Sequence, residues 1–245
     1  MTTEKYYASM VQICLEFGEK RTSSIQQNPR VLDLYGLSGL RTRHFLNSLM
    51  SNGKLVLLEL GVYKGASIAS AMYNNPEAKA YAVDNWCYSP IDIPPIKYEV
   101  DKDGKPTKNT IPWPNVKWSA EDNIKKYTSG TVTLIEKNWS SLTKTDIKEP
   151  VNIVHLHALP GVNEFDFLST LNALYNLIEV TSVLVVENYI SPVVKDTLNK
   201  WFATRKVKVD YQEIKDSDSL SNTDHWGGGI GVFVVTKQDI TNGNK

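Results

Sequence analysis

KLVLLELGVYKGASIASAMYNNPEAKAYAVDNW, residues 54–86, is the stretch of sequence that determines the fold. Residues 55–60 are apolar except for one glutamate, a pattern typical of a strand buried in a parallel sheet. The loop at residues 61–65 begins and ends with glycine and leads into a stretch with helical spacing. A second apolar run, residues 80–83, ends on Asp84. The order strand, loop, helix, strand predicts one βαβ unit of a parallel sheet.

The loop between the first strand and the helix is suited to a ligand that carries a ribose. Gly61 and Gly65 permit a tight turn and a close approach of the backbone to a ligand. The helix directs its free N–H groups and positive dipole end at the same crevice, and Asp84 lies where a carboxylate accepts hydrogen bonds from a ribose diol. The loop lacks the G-x-G-x-x-G pattern that cradles a pyrophosphate. Glu59 adds a negative charge, which favours an amino or sulfonium group over phosphate.

Residues 59–65, ELGVYKG, resemble the first motif of the class I S-adenosylmethionine-dependent methyltransferases, and Asp84 resembles the ribose-binding acid after that family's second strand. The alternative is an ordinary βα turn with chance glycines. The resemblance implies a Rossmann-like α/β fold and S-adenosylmethionine as the cofactor. It also implies that the residue after the third strand, Asn138, contacts adenine. The residues expected to bind the cofactor are Glu59, Gly61, Tyr63, Gly65, Ser67, Asp84, Asn85, Trp86, Asn138 and Trp139.

Length, charge and cysteine content narrow the functional classes. The 245 residues include 27 Lys+Arg and 27 Asp+Glu, so no basic surplus indicates a nucleic-acid partner. No apolar run approaches the roughly 20 residues that span a bilayer, and the N-terminal segment lacks the apolar core of a secretory signal. Cys14 and Cys87 are too few for a disulfide framework and lack a metal-binding spacing. Both are expected to be free thiols in a reducing, cytoplasmic compartment.

Strands and helices alternate along the rest of the chain. Residues 1–50 are expected to form a helical segment that packs on or caps the core, and residues 51–240 one α/β domain. Helices are predicted at residues 4–17, with Gly18 as the stop, and at 40–50, 120–127, 164–178 and 192–204. Further strands are predicted at residues 132–135, 153–156, 183–186, 207–211 and 231–235. The count gives about seven mostly parallel strands, an antiparallel terminal strand, and helices on both faces.

Three stretches outside the ligand loop have open interpretations. Arg41, Arg43 and His44 are interpreted as a solvated helix face rather than a site. The Pro/Trp-rich insert at residues 87–118 is either packed on the body of the domain or a functional loop. Before the last strand, a glycine run that follows His225 permits either a close ligand approach or a sharp turn. His225 is a candidate for the acceptor pocket.

The ends of two later strands carry the candidate catalytic residues. His157 follows one strand and is expected to act as the general base, since a histidine accepts protons near neutral pH. The alternative for His157 is a buried histidine whose hydrogen bonds are made within the core. A buried packing role is the interpretation for His155, which lies inside the strand. Glu187 and Asn188 follow the next strand, and Glu187 is interpreted as a base, a ligand or a structural acceptor. All these residues lie at the carboxyl ends of strands, where open α/β sheets bind ligands.

Within the class, the chain is most similar to small-molecule and sugar O-methyltransferases. In that group the corresponding strand ends carry Asp-Gly-x-His and Asp-Asp-Tyr, and their carboxylates often hold a divalent cation. Here the segments are HALP, from His157, and ENY, from Glu187, so much of the negative charge that a hard cation needs is missing. A softer metal remains open, so the sequence leaves a divalent metal undecided and assigns no metal ligand.

The sequence therefore predicts an enzyme that transfers a methyl group from S-adenosylmethionine to an oxygen of a small molecule or sugar. The main alternative is a protein on the same fold that binds S-adenosylmethionine without turnover, because fold alone does not establish a reaction. A nucleic-acid methyltransferase is disfavoured by the neutral charge. No membrane association is expected, and the apolar positions of the N-terminal helices leave a homodimer open.

Overall fold

The computed structural model describes residues 1–87, 116–158, 162–216, 226 and 228–238. Its centre is a seven-stranded sheet in the order β3-β2-β1-β4-β5-β7-β6. All neighbouring strands are parallel except β7, which runs antiparallel to β5 and to β6. The strands are β1 Val56–Leu60, β2 Lys79–Asp84, β3 Thr131–Glu136, β4 Val151–His157, β5 Ile178–Glu187, β6 Val207–Lys215 and β7 Ile230–Lys237. The predicted α/β fold is confirmed.

Helices cover both faces of this sheet, as predicted. The helices are α1 Thr3–Lys20, α2 Pro29–Leu32, α3 Leu40–Met50, α4 Ala66–Met72, α5 Val116–Tyr127, α6 Glu164–Tyr175 and α7 Pro192–Thr204. Side chains of α1, α3, α4 and α5 form one core with the sheet, and those of α6 and α7 form a second core on the opposite face. Strand β1 is buried along its whole length, which explains its nearly continuous apolar sequence.

Two predicted helix ends are wrong. Helix α1 passes through Gly18 and ends at Lys20, where Arg21 takes the left-handed conformation with φ 53°. Gly18 is needed for packing instead, because a Cβ there would lie 2.7 Å from the Trp226 ring. Helix α6 ends at Tyr175, and Ile178, predicted as its last residue, begins β5. The apolar spacing continued across the turn and concealed the change from helix to strand.

The interpretation of Arg43 and His44 as a solvated face is also wrong. Arg43 is 3% exposed, and it donates to the Ser70 hydroxyl and to the carbonyls of residues 31, 32 and 34. The Nδ1 atom of His44 lies 2.8 Å from the Ser23 hydroxyl. Burial and the neighbouring arginines lower the pKa of His44 to about 4, so the ring is neutral. Only Arg41 is partly solvated, and it pairs with Glu19.

Several sequence expectations fall outside the described residues. Most of the Pro/Trp-rich insert, at residues 88–115, lies outside them, as does His225. The end predicted for this insert, residue 118, is too late, because α5 already begins at Val116. None of the helices described is both long enough and apolar enough to cross a membrane. The cysteines Cys14 and Cys87 are free thiols.

Candidate active site

Asp84, the last residue of β2, organises the loop that follows β1. Its two carboxylate oxygens accept the backbone N–H groups of Tyr63 and Trp86, each at 2.9 Å. Both of these aromatic residues have positive φ, 50° for Tyr63 and 46° for Trp86, a conformation that costs a bulky residue free energy. The Trp86 indole N–H also donates to the Tyr63 carbonyl at 3.1 Å. The carboxylate therefore clamps two strained turns against each other at the carboxyl edge of the sheet.

Gly61 lies where the ligand loop meets the neighbouring strand end. Its φ is +96°, and a Cβ there would lie 3.1 Å from the Cβ of His157 and 3.3 Å from the Trp139 ring. Gly65 has φ +79°, and a Cβ there would lie 3.2 Å from the Cα of Ala120 in α5. The two glycines are thus required both by the backbone conformation and by close packing. The contact at Gly61 brings the candidate base, His157, beside the candidate cofactor loop.

A cavity of about 250 Å³ opens beside this loop. Asn138 caps the short 3-10 turn Trp139–Ser141 with its carboxamide oxygen, which accepts the backbone N–H of Ser140. The amide nitrogen of Asn138 carries the remaining donors. The indole of Trp139 lines the cavity and would lie 3.3 Å from a Cβ at Gly61. The cavity is lined by Asp84, Asn85, Cys87, Asn138, Trp139 and Phe167, among others. It therefore combines carboxylate, amide and aromatic groups.

A continuous chain of hydrogen bonds runs through the core behind the loop. The hydroxyl of Ser67, in α4, donates to Glu59 at 2.8 Å. His155 lies between two carboxylates, with Nδ1 3.1 Å from Glu59 and Nε2 3.0 Å from Glu187. The second oxygen of Glu187 lies 2.5 Å from Nδ1 of His157. Strand register explains the contacts, since Glu59 pairs with His155 across β1 and β4, and His157 pairs with Glu187 across β4 and β5.

Burial and charge act in opposite directions on this chain. Burial lowers the pKa of His155, but hydrogen bonds and the negative charges of Glu187 and Glu59 outweigh it and raise that pKa to about 10. Burial likewise raises the pKa of Glu187, yet its electrostatic interactions and hydrogen bonds with His157 and His155 hold it well below its usual range. The fully buried members are therefore an imidazolium between two carboxylates. His157 is the outermost member, with a side chain 13% exposed.

The predicted site residues divide into two groups. Gly61, Asp84, Asn138 and Trp139 surround the cavity or its loop, together with Tyr63, Gly65, Asn85 and Trp86. Glu59, which is 0% exposed, and Ser67, which is 5% exposed, bind each other instead. This corrects the expectation that Glu59 faces an amino or sulfonium group, because its oxygens are already held by protein donors.

The catalytic candidates are likewise only partly brought together. His157 and Glu187 form a pair, whereas Asn188 forms the next turn with φ 57°, its carbonyl accepting the Ser191 N–H at 3.1 Å. Within the described ranges, no group of three or more His, Cys, Asp and Glu side chains is arranged to hold a metal ion. Both Glu187 oxygens bind imidazole nitrogens. His155, expected only to pack, is the residue whose role the sequence missed.

Comparison with solved structures agrees on the fold. TrmN from Thermus thermophilus matches 86% of this chain with 11% identity and a TM-score of 0.55, and this chain covers 53% of TrmN. A SAM-dependent O-methyltransferase from Thermotoga maritima matches 80% of the chain with 13% identity and a TM-score of 0.51, and 65% of that protein is covered. A Pyrococcus horikoshii protein proposed to be an RNA methyltransferase matches 86% of the chain with 13% identity and a TM-score of 0.50, and 96% of it is covered.

These comparisons establish a Rossmann-like methyltransferase fold. No protein-family model and no curated protein matches the amino-acid sequence. This chain spans about half of TrmN and under two thirds of the Thermotoga protein. At identities of 11–13% the likeness concerns the fold alone, and one fold hosts many reactions. The function must therefore be argued from the site.

Proposed function

We propose that this protein is an S-adenosylmethionine-dependent methyltransferase that methylates an oxygen atom of a small molecule or sugar. The observation that carries the proposal is the meeting of two features at Gly61. The Asp84-clamped loop lies on one side and the His157–Glu187 pair on the other, with the Cβ of His157 only 3.1 Å from the position of a Gly61 Cβ. A cofactor held by the loop would thus lie next to a group able to accept a proton.

The residues around the cavity fit an adenosyl ligand. Asp84 lines the cavity, so its carboxylate lies in the wall that a ribose diol would meet. The amide of Asn138 offers donors to a ring nitrogen of adenine, and the Trp139 indole offers an aromatic face. The neutral overall balance of 27 cationic and 27 anionic residues gives no general attraction for a polyphosphate chain.

S-adenosylmethionine, when bound, supplies an electrophilic methyl group. His157 provides the base, because its Nδ1–H donates to Glu187 and leaves the Nε2 lone pair for the proton of an acceptor hydroxyl. His157 would take the proton of the acceptor hydroxyl at Nε2 when the methyl group leaves the cofactor sulfur for that oxygen, with S-adenosylhomocysteine as the product. Glu187 fixes the ring orientation and stabilises the imidazolium that results. The net charge of Glu59, His155 and Glu187 is negative, which favours this proton uptake.

The test begins with calorimetric titration of the wild-type chain with S-adenosylmethionine and S-adenosylhomocysteine. Methyl transfer from labelled cofactor is then measured with pools of sugars and small hydroxylated molecules, and in parallel with RNA. We expect His157→Gln to lower turnover by about 10²–10⁴-fold, the range for loss of a general base, while binding of the cofactor changes little. Glu149→Gln is the control and should keep both properties, because Glu149 is partly exposed and pairs with Lys79 at the amino end of β2, the end of the sheet opposite to the cavity.

The other outcomes identify the competing functions. Binding of cofactor without transfer to any acceptor would indicate the non-catalytic binding protein. Transfer to RNA with a steep salt dependence would replace the small-molecule acceptor by a nucleic acid. A folded wild-type protein that binds neither form of the cofactor would refute the proposal.

A further inference from the structure

We propose that His155 is a positioning residue, whose ring holds the Glu187 carboxylate against His157 and connects this pair to the cofactor loop through Glu59 and Ser67. The inference rests on the proposed function, since it assigns a role within the same site. It differs from the general-base assignment because His155 is fully buried and acts through other side chains rather than on the reacting atoms.

The geometry leaves His155 little freedom. Its two ring nitrogens contact carboxylates on two different strands, Glu59 on β1 and Glu187 on β5, at 3.1 and 3.0 Å. Each carboxylate has a second oxygen that contacts the next group, Ser67 at 2.8 Å and His157 at 2.5 Å. A displacement at one end of this chain therefore changes hydrogen-bond lengths along it.

The His155 ring also affects its two carboxylate partners through its charge. Of the titratable groups in the described chain, Glu187 and Glu59 are those that act on His155, and His157 and His155 are those that act on Glu187. Two buried carboxylates without a cation between them would be strongly unfavourable. With His155 charged, the four groups carry one net negative charge, and a proton on His157 brings the total to zero. His155 thus limits how strongly Glu187 attracts the proton of His157.

A purely structural role makes a different prediction. If His155 only fills space and satisfies hydrogen bonds, a neutral arrangement with the same bonds should serve equally well. The double variant E59Q/H155Q provides it, since the glutamine introduced at position 155 can donate to Glu187 while its oxygen accepts from the amide introduced at position 59. The variant E59Q alone keeps the contact between His155 and Glu187 and removes only the charge of Glu59, which does not contact His157.

The experiment is side-chain ¹⁵N NMR of the 245-residue chain, whose sequence has four histidines. In the wild type we expect both ring nitrogens of His155 to stay protonated from pH 6 to 9. In E59Q/H155Q, the titration midpoint of His157 should rise by about one pH unit or more relative to E59Q, because the two variants differ only in the His155 cation and this is the usual size for loss of a cation a few ångströms away. His157→Gln identifies the His157 signals.

Two results would overturn the proposal. One is a His155 ring with a single protonated nitrogen at pH 7 in the wild type, a measurement that needs no variant to fold. The other is a folded double variant in which the His157 midpoint equals that of E59Q. Calorimetry with S-adenosylhomocysteine on the same samples separates the two proposals, because absent binding would refute the methyltransferase function and leave the NMR result intact.

Discussion

Replacing Asp84 by alanine tests whether this residue is a clamp as well as a ligand contact. The variant loses two hydrogen bonds from backbone N–H groups to a buried carboxylate, at Tyr63 and Trp86, worth about 1.5–3 kcal/mol each. Relaxation of two left-handed non-glycine residues returns about 1–2 kcal/mol each. The difference, taken between the low ends and between the high ends of these ranges, is a net loss of about 1–2 kcal/mol, which corresponds to a Tm lower by roughly 2–8 °C for a domain of this size.

The assay is thermal unfolding followed by circular dichroism without ligand, with Asp166→Ala as the matched control. Asp166 is a second carboxylate that lines the same cavity but is exposed, so its removal should change Tm by less than about 2 °C, which is below about 1 kcal/mol. An Asp84→Ala protein with an unchanged Tm would refute the clamp. The result also determines how binding is interpreted, because loss of cofactor affinity in Asp84→Ala cannot be assigned to a missing ribose contact if the loop itself has rearranged.

Three further predictions address the core and the loop. Burial lowers the pKa of His155, but its carboxylate partners outweigh burial and raise this pKa from 6.5 to about 10. The stabilisation from the protonated ring is therefore complete below pH 6.5 and decreases as the pH rises towards 10. We expect Tm to fall by several degrees from pH 7 to 10, and by less in E59Q, and equal slopes of Tm against pH in the two proteins would contradict this. Arg43→Met should lower the free energy of unfolding by about 2–4 kcal/mol because buried carbonyls lose their donors. The control Arg41→Met, on the same helix, should lower it by under about 1 kcal/mol. Chemical denaturation measures both free energies, and equal losses would contradict the burial assigned to Arg43. Gly61→Ala should cost about 1–3 kcal/mol through backbone strain and weaken S-adenosylhomocysteine binding at least tenfold in calorimetry, and wild-type affinity would show that the loop tolerates a side chain there.

The fold was predictable because its signals are local. The apolar run of β1, the glycine loop and the acid that ends β2 each have a direct physical meaning in sequence. Helix α7 was predicted at Pro192–Thr204 and found there, because a proline marks its first turn and the apolar spacing is regular. The errors lie where local and distant effects compete. At Gly18 the glycine serves a contact with Trp226, more than 200 residues away in sequence, which no helix-stop rule can detect.

The burial of Arg43 could not be predicted from its own helix. Two charged residues and a histidine close together in sequence are typical of a solvated surface, yet the segment of residues 31–34 folds back and presents its carbonyl groups to the guanidinium. The groups that bind the Arg43 guanidinium are mostly backbone carbonyls, so no complementary charged residue in the sequence indicates that Arg43 is buried. The sequence therefore places the helix correctly and its exposed face wrongly.

The buried hydrogen-bond chain at His155 was closer to being predictable than the Gly18 contact or the burial of Arg43. Glu59 lies within a run of apolar residues, and a carboxylate in a central parallel strand is buried on either face, so it requires a hydrogen-bonding or charged partner. In the observed order β1 lies between β2 and β4, and β4 is the neighbour that carries histidines. Residues 155 and 157 share one face because strand side chains alternate. Glu59 is thus matched by His155 at the same level of the sheet, and His157 reaches the strand end. An acid inside a predicted central strand is therefore a reason to search neighbouring strands for its partner before assigning it to a ligand.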